Sequence, residues 1–276
     1  MAINLVTKHA KQLMTVYTKS SVIGNSLSNA YDFAGAKTVI IHTPTTVPMN
    51  NYTRSGTNRY GTPVEMEDTT QEMTMSQDKS FALTIDKGNN ADQLDMKSAG
   101  RMVKLQLAER AVPLRDKYVL NVLAENAGGT NSVTTALTKT TICDRISSGT
   151  QALDDAEVPE DGRTLWISTE GYKLLKHSDE FMAVERIAGK AIEKGVVGTY
   201  DNMTVKKVPS SRMPAGVNFI IAHRDAATAP VKLHEINIHK DPPGINGHLM
   251  EGREYYDCFV FESRNKGVYA DKNANA

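Results

Sequence analysis

Histidines, cysteines and grouped carboxylates are the side chains from which active or metal sites are built. In this chain of 276 residues their spacing builds neither. The stretch "HEINIH" carries His234 and His239, with Glu235 beside the first. A zinc-peptidase helix needs two histidines four apart on one face, where both reach one ion. These are five apart in a strand-like run, which sends them to opposite faces. Both are therefore expected to be ordinary exposed or hydrogen-bonded histidines. "HRD" at residues 223–225 matches three letters of a kinase catalytic loop, but no glycine-rich phosphate loop, strand lysine or DFG accompanies it. The glycines of "KGVVGTYDN" fit neither dinucleotide nor phosphate-loop spacing and read as a turn between strands. "LDDAEVPEDG" gathers acids, yet reads as a helix end and a proline turn. Cys143 and Cys258 show neither metal-ligand spacing nor a disulfide framework. No catalytic, metal or cofactor-binding residue is assigned, no cofactor is expected, and the chain is not read as an enzyme.

Composition points the same way. Lys plus Arg and Asp plus Glu are 32 each, so no whole-protein field attracts nucleic acid or an anionic membrane. Neutrality also removes one safeguard against self-association. Apolar content of 40% supports a sizeable core, enough for one large or two modest domains. No stretch approaches the ~20 apolar residues of a membrane span, and the start lacks a signal-peptide core. A protein made in a reducing cytosol is expected.

The elements that would position any site are clearer. Leu5, Val6, Leu13, Met14 and Tyr17 suggest a short amphipathic helix over residues 3–17. Residues 36–87 read as a long hairpin, with "TVIIHT" outgoing, Pro48, Gly56, Gly61 and Pro63 at the tip, and "MTMSQDKSFALTID" returning. On the return, Met73 and Met75 share a face, as do Phe81, Leu83 and Ile85, at the period of a strand. Arms of that length would reach on the order of 50 Å. After a break at Gly88-Asn89-Asn90, Met96, Ala99, Val103, Leu107, Ala111, Leu114, Tyr118 and Val122 recur at helical steps up to Gly128-Gly129. Pro113 predicts a kink or break, because it lacks a donor and disfavours helix at Val112. From about Thr140, α/β alternation follows: a helix over "TTICDRISSGTQALDDA", a strand "RTLWIS", and a helix "TEGYKLLKHSDEF" capped by Ser168 or Thr169. "MTVKKVP", "NFIIAHR" and "VKLHEINIH" read as strands. "REYYDCFVFESRNKGVYA" is apolar on both faces and should lie buried in a sheet.

One stretch fits no core. "MNNYTRSGTNRYGTPVEMEDTTQ" offers only Met49, Tyr52, Tyr60, Val64 and Met66 among polar residues. A hairpin of such reach is not stable alone in water, so it must lie on its own subunit or on a neighbour. Its charges are segregated, Arg54 and Arg59 at the tip and Glu65, Glu67, Asp68 and Glu72 on the return, which suits complementary patches on a neighbour or plain solvation.

The blocks "YDFAGAKTVII", "NYTRSGTNRYG", "SQDKSFALTIDKGNNADQ", "YVLNVLAENAG", "ALDDAEVPEDGRTLWISTEGYKLL", "IIAHRDAATAPVKLHEINIH" and "GREYYDCFVFESRNKGVYA" follow in consistent order. Together they resemble tailed-bacteriophage major capsid proteins of the Hong Kong 97-type shell fold, over about residues 31–271. The resemblance implies an α+β subunit: an N-terminal arm (1–35), an extended β-hairpin loop (36–87), a peripheral domain with a long spine helix (88–139 and 250–276), and an α/β axial domain (140–249). It implies a structural protein that self-assembles into hexamers and pentamers of an icosahedral head enclosing double-stranded DNA, without sequence readout. The loop would rest on the adjacent subunit, making Tyr52, Arg54, Arg59, Tyr60, Glu65, Glu67 and Asp68 intersubunit contacts. Partners implied are further copies, a portal protein, a separate scaffolding protein and a decoration protein, in the virion capsid after assembly in the host bacterial cytoplasm. Some relatives cross-link a loop lysine to a neighbour's asparagine. Lys79, Asn265, Asn273 and Asn275 lie in suitable regions, but no motif match transfers that chemistry. An encapsulin-like compartment and a cytosolic α/β enzyme stay open as alternatives.

Overall fold

The computed structural model describes residues 20–28, 30–31, 33, 37–92, 98–178 and 196–273; the helix expected over 3–17 lies outside them. The chain first forms β1 (Thr38–Pro44), β2 (Asp68–Thr74), β3 (Gln77–Asp86), α1 (Lys87–Asp92), α2 (Ala99–Gln106) and α3 (Val112–Glu125). It continues with β4 (Gly129–Val133), α4 (Ile142–Asp155), β5 (Arg163–Ser168), α5 (Thr169–Lys176), β6 (Val196–Tyr200) and β7 (Met203–Val208). It closes with β8 (Val217–His223), β9 (Ala227–Thr228), β10 (Val231–Lys240), β11 (Gly247–Tyr256), β12 (Phe259–Val260) and β13 (Val268–Asn273).

The α/β region is a six-stranded mixed sheet in the order β4-β13-β8-β5-β7-β6, covered on both sides. Central strands must then be apolar on both faces. β5 and β8 are: Leu165, Ile167, Phe219 and Ile221 meet α4 and α5 through Ile142, Ile146, Leu153 and Leu175. Their alternate residues, Trp166, Ile220 and Ala222, meet Val119, Leu120, Leu123 and Ala124 of α3. Gly149 allows α4 to lie this close, since a Cβ there would sit 2.8 Å from Ile221 Cδ1. Ser168 caps α5 by accepting from the Gly171 amide at 3.0 Å, one of the two caps the sequence offered.

A second sheet, β10-β11-β3, is wholly antiparallel. One face buries Ile85 and Met250 against Val103 of α2. The opposite face, with Asp78, Ser80, Ala82, Glu251 and Arg253, is exposed. A third, two-stranded sheet pairs β1 with β2.

Several expectations are corrected. The return arm of the hairpin is two strands, because β2 pairs with β1 and β3 leaves to pair with β11. The division falls at residues 75–76, where distant groups take over the backbone. Tyr255 Oη donates to the Met75 carbonyl at 3.0 Å, and the Ser76 amide donates to Asp257 Oδ2 at 2.6 Å. The Gly88-Asn89-Asn90 break is instead α1, started by Asp86, whose carboxylate accepts from the Asn89 amide at 3.1 Å. Of the kink or break expected at Pro113, the break does not occur, and the helical run passes through the proline. Residues 107–111 form a π-turn, and Val112 stays helical at φ −61°, ψ −48°. The wider turn moves the preceding carbonyls out of register, so the ring enters the first turn of α3, where a missing N–H costs little.

In "KGVVGTYDN" the turn between strands is made by Asp201 and Asn202, both at positive φ, which lead the chain into β7, while Gly198 lies in β6 and Gly195 is outside the described residues. The final segment is not one buried strand. It divides into β11, β12 and β13, three strands in three different sheets, with a 3-10 turn over Glu262–Gly267 between the last two.

Residues 20–28 lack regular structure but are fastened across the sheet. The carbonyls of Ser20, Val22, Ile23 and Ser28 accept from Arg212 Nη1, Trp166 Nε1, Lys206 Nζ and Thr228 Oγ1, all at 2.8–3.1 Å. Side chains thus supply the donors that a strand would otherwise take from a neighbour.

Candidate functional site

The residues singled out for chemistry are structural. His234 Nδ1 lies 2.9 Å from Glu254 Oε1 and His239 Nε2 lies 3.4 Å from Glu251 Oε2, pairs across β10 and β11. His223 accepts from the Asp225 amide through Nδ1, so Nε2 carries the proton it donates to the Asp161 carbonyl at 2.9 Å. Asp154 pairs with buried Arg163 at 2.7 Å. Cys143 and Cys258 are free and buried; burial and the Asp257 carboxylate push the Cys258 thiol far up, leaving it inert. Among the described residues no group of three His, Cys, Asp or Glu is placed to hold a metal ion. No described helix is long and apolar enough to cross a membrane.

The β1–β2 hairpin is a different kind of site, rigid at its base and open beyond it. At the base, Met73 and Met75 are buried with Phe33 and Phe261, flanked by Val39, Ile41 and Phe259. Each fully buried side chain of this size contributes roughly 1.5–3 kcal/mol. Gln71 spans to the body: its Nε2 donates to the Val260 carbonyl at 3.0 Å and its Oε1 accepts from the Glu262 amide at 3.0 Å. Asp257 is the hub behind it, accepting from the Ser76 amide, from Tyr118 Oη at 2.7 Å and from the Cys258 amide at 2.8 Å. Burial and this carboxylate push the Tyr118 phenol up to about 12, so it remains a donor at neutral pH. Gln71→Ala should raise amide hydrogen exchange across β2 about tenfold, losing roughly 1–2 kcal/mol locally while the global melt hardly moves. Equal exchange in both proteins would place the anchoring elsewhere.

Past the base, the Thr45 amide donates to the Glu67 carbonyl at 2.9 Å, and beyond this closure the chain leaves the body. It keeps a local order of its own. The Thr53 amide donates to the Arg59 carbonyl at 3.0 Å, Arg59 Nε donates to the Gly56 carbonyl at 3.2 Å, and the Tyr52 and Tyr60 rings meet edge to face at 5.0 Å. Yet Met49 is 98% exposed, Tyr60 85%, Met66 70% and Val64 66%. So many large apolar groups exposed on one excursion leave it without a core of its own.

Of the residues expected to make contacts, Tyr52 and Tyr60 are brought together, and Asp68 is taken by His42 Nδ1 at 2.6 Å. Arg54, Arg59, Glu65 and Glu67 are exposed. Sequence reasoning passed over Met49, Val64 and Met66 as site residues, although large apolar groups in a polar run were their signal. Gln71 and Asp257 gave none, because what they hold is almost two hundred residues away or on other elements.

No protein-family model matches the chain, and comparison with curated proteins returned no match. Solved structures do match, over nearly the whole length. A chain from Mycobacterium phage Che8 superposes with TM-score 0.78 at 18% identity, covering 98% of both chains. The capsid structure of the cyanophage P-SCSP1u gives 0.75 at 13% identity, covering 99% of this chain and 94% of that one. The mature capsid of bacteriophage PhiM1 gives 0.73 at 14% identity, covering 99% and 93%. The fold is that of phage capsid structures.

Proposed function

We propose that this chain is the major capsid protein of a tailed phage, a structural subunit that assembles into hexamers and pentamers of an icosahedral head around double-stranded DNA. The observation that carries the reading is the hairpin, anchored at residues 71–76 and bare of its own core over residues 45–67, in a fold shared end to end with phage capsid structures. A neighbour in the same capsomer covers the apolar tip. Head-to-tail contacts of this kind close into rings, and many modest contacts per subunit add up to a stable shell. On this reading residues 36–87 are the extended loop, α2 and α3 are the spine of a peripheral domain (88–139 and 250–276), and α4, α5 and β5 to β8 belong to an axial one (140–249). As a correction to that division, β4 and β13 of the peripheral part join the same six-stranded sheet as β5, β7 and β8. A separate scaffolding protein, a portal at one vertex and a decoration protein complete the assembly, in the host cytoplasm.

Negative-stain microscopy of the expressed protein, alone and with phage lysate, tests it: rings or shells are expected, and shells from infected cells should contain DNA. A chain that stays monomeric under both conditions ends the proposal. Arg54 and Arg59 contribute as rim charges, so Arg54→Glu with Arg59→Glu should cut assembly at low ionic strength several-fold and less at 0.5 M salt, where screening is about 4 Å. Unchanged assembly at low salt would leave these arginines a solvating role only.

A further inference from the structure

Most of what holds the hairpin to the body comes from the far end of the chain. Among the described residues, β1 and β2 pair only with each other, and β3 has β11 as its one strand neighbour. Gln71 is held by Val260 and Glu262, Met75 by Tyr255 and Ser76 by Asp257, at sequence separations of 180–191 residues. Met73 and Met75 are covered by Phe259 and Phe261, with Phe33 and Tyr31 the contributors from nearby sequence. A two-stranded ribbon is marginal by itself, so β1 and β2 have no fixed direction until residues 255–262 are in place.

Those residues depend in turn on β13. It enters between β4 and β8, parallel to the first and antiparallel to the second. β4 has no other strand neighbour among the described residues. Val268 and Ala270 pack on the α3 side of the sheet, together with Cys258 and Val260, and Tyr269 packs on the α4 side. Asp271, fully buried, accepts from Asn218 Nδ2 at 2.7 Å, Arg145 Nε at 3.1 Å and Asn131 Nδ2 at 3.2 Å, which joins β8, α4 and β4. A terminal strand on a sheet edge could be absent at small cost. This one is interior, and without it both apolar layers open and β8 becomes a bare edge.

We infer that residues 247–273 gate assembly: a copy presents its hairpin as a fixed element only after its last strands have docked, so a chain still being made, or cut short, is kept out of the shell. This rests on the assembly proposed above and adds its timing. The apolar excursion is synthesised first. At about 5–20 residues per second, the 189 residues from Gln71 to Val260 take on the order of 10–40 s. Over that interval the unanchored ribbon would have to be ordered at the moment of binding, and that entropy cost weakens its contact with other copies.

Holding the complete chain on ribosomes by a C-terminal tether tests this. A short tether leaves residues 247–273 inside the exit tunnel, and a long one frees them. On the long tether the amides of β2 and β3 should exchange about a hundredfold more slowly, and free copies of the chain should be captured about tenfold more. Ala270→Lys bars β13 from the sheet, because Ala270 is fully buried, and on the long tether it should behave like the parent on the short one. Equal exchange on the two tethers, equal capture, or parent-like behaviour of Ala270→Lys would each overturn the gate. If the free chain still forms particles in those cases, the capsid reading stands. If the free chain forms none, both fall.

Discussion

Excising residues 46–66 and joining Thr45 to Glu67 through Asn-Gly should yield a protein that folds and melts like the parent but makes no particles. Thr45 and Glu67 already face one another across a 2.9 Å hydrogen bond, so a two-residue turn can close β1 onto β2 there. Nothing buried is removed, because the anchoring cluster around Met73, Met75, Phe33 and Phe261 lies on the other side of that closure. A change in melting temperature of no more than about 3 °C is therefore expected, in keeping with surface changes of within ~0.5 kcal/mol. Assembly is another matter. The excision deletes the exposed Met49, Tyr52, Tyr60, Val64 and Met66 together, and a shell multiplies that loss over every subunit. Sedimentation velocity separates the outcomes. Particles of normal size from the shortened chain would show that the excursion is dispensable and would remove the main support for its role.

Asp116→Ala should have the largest effect on stability. The carboxylate is fully buried on α3 and accepts from Arg212 Nη1 at 2.8 Å, Ser21 Oγ at 2.7 Å and the Val22 amide at 2.9 Å. Removing it takes the buried carboxylate away from the Arg212 guanidinium and leaves the buried Val22 amide without its acceptor, a loss of about 3–5 kcal/mol. A large share of the stability of a typical domain would go with it. Asp116→Asn should fall between, because the amide oxygen still accepts while the negative charge facing Arg212 is lost. Replacing both partners, Asp116→Leu with Arg212→Met, should recover part of the loss but not all, since the Val22 amide then lacks an acceptor. Urea denaturation of the four proteins measures this, provided the slope with denaturant is unchanged. A loss below about 1 kcal/mol for Asp116→Ala would mean that the segment over residues 20–28 is not fastened as described. Because that segment also covers Trp166, the sole tryptophan, its release should shift the fluorescence to the red.

The readings that held were those with local causes. "RTLWIS" and "NFIIAHR" became β5 and β8 because a strand covered on both sides must be apolar on both sides. The "HEINIH" histidines part company because strand periodicity lies in the residues themselves. The bareness of residues 49–66 was equally visible, because a lack of apolar residues is a property of the segment alone. Where a reading failed, a remote residue intervened. Nothing near Ser76 foretells that Asp257 will claim its amide and divide the return arm. Around Pro113 the helix continues because α3 is packed against the sheet through Val119, Leu120 and Leu123, which favours a π-turn over a break.

By itself, then, the order of residues determined the two-faced apolar strands β5 and β8, the helices α4 and α5 beside them, and an excursion too polar to bury itself, whereas the six-stranded sheet that joins β4 and β13 to those strands came only with the fold. Tertiary structure alone decided where that excursion is gripped and how the helix passes its proline. The physical reason is range. Periodicity and polarity act over a few neighbouring positions, whereas a hydrogen bond from Gln71 to Val260 exists only once the folded chain has brought residues 189 apart in sequence within 3.0 Å.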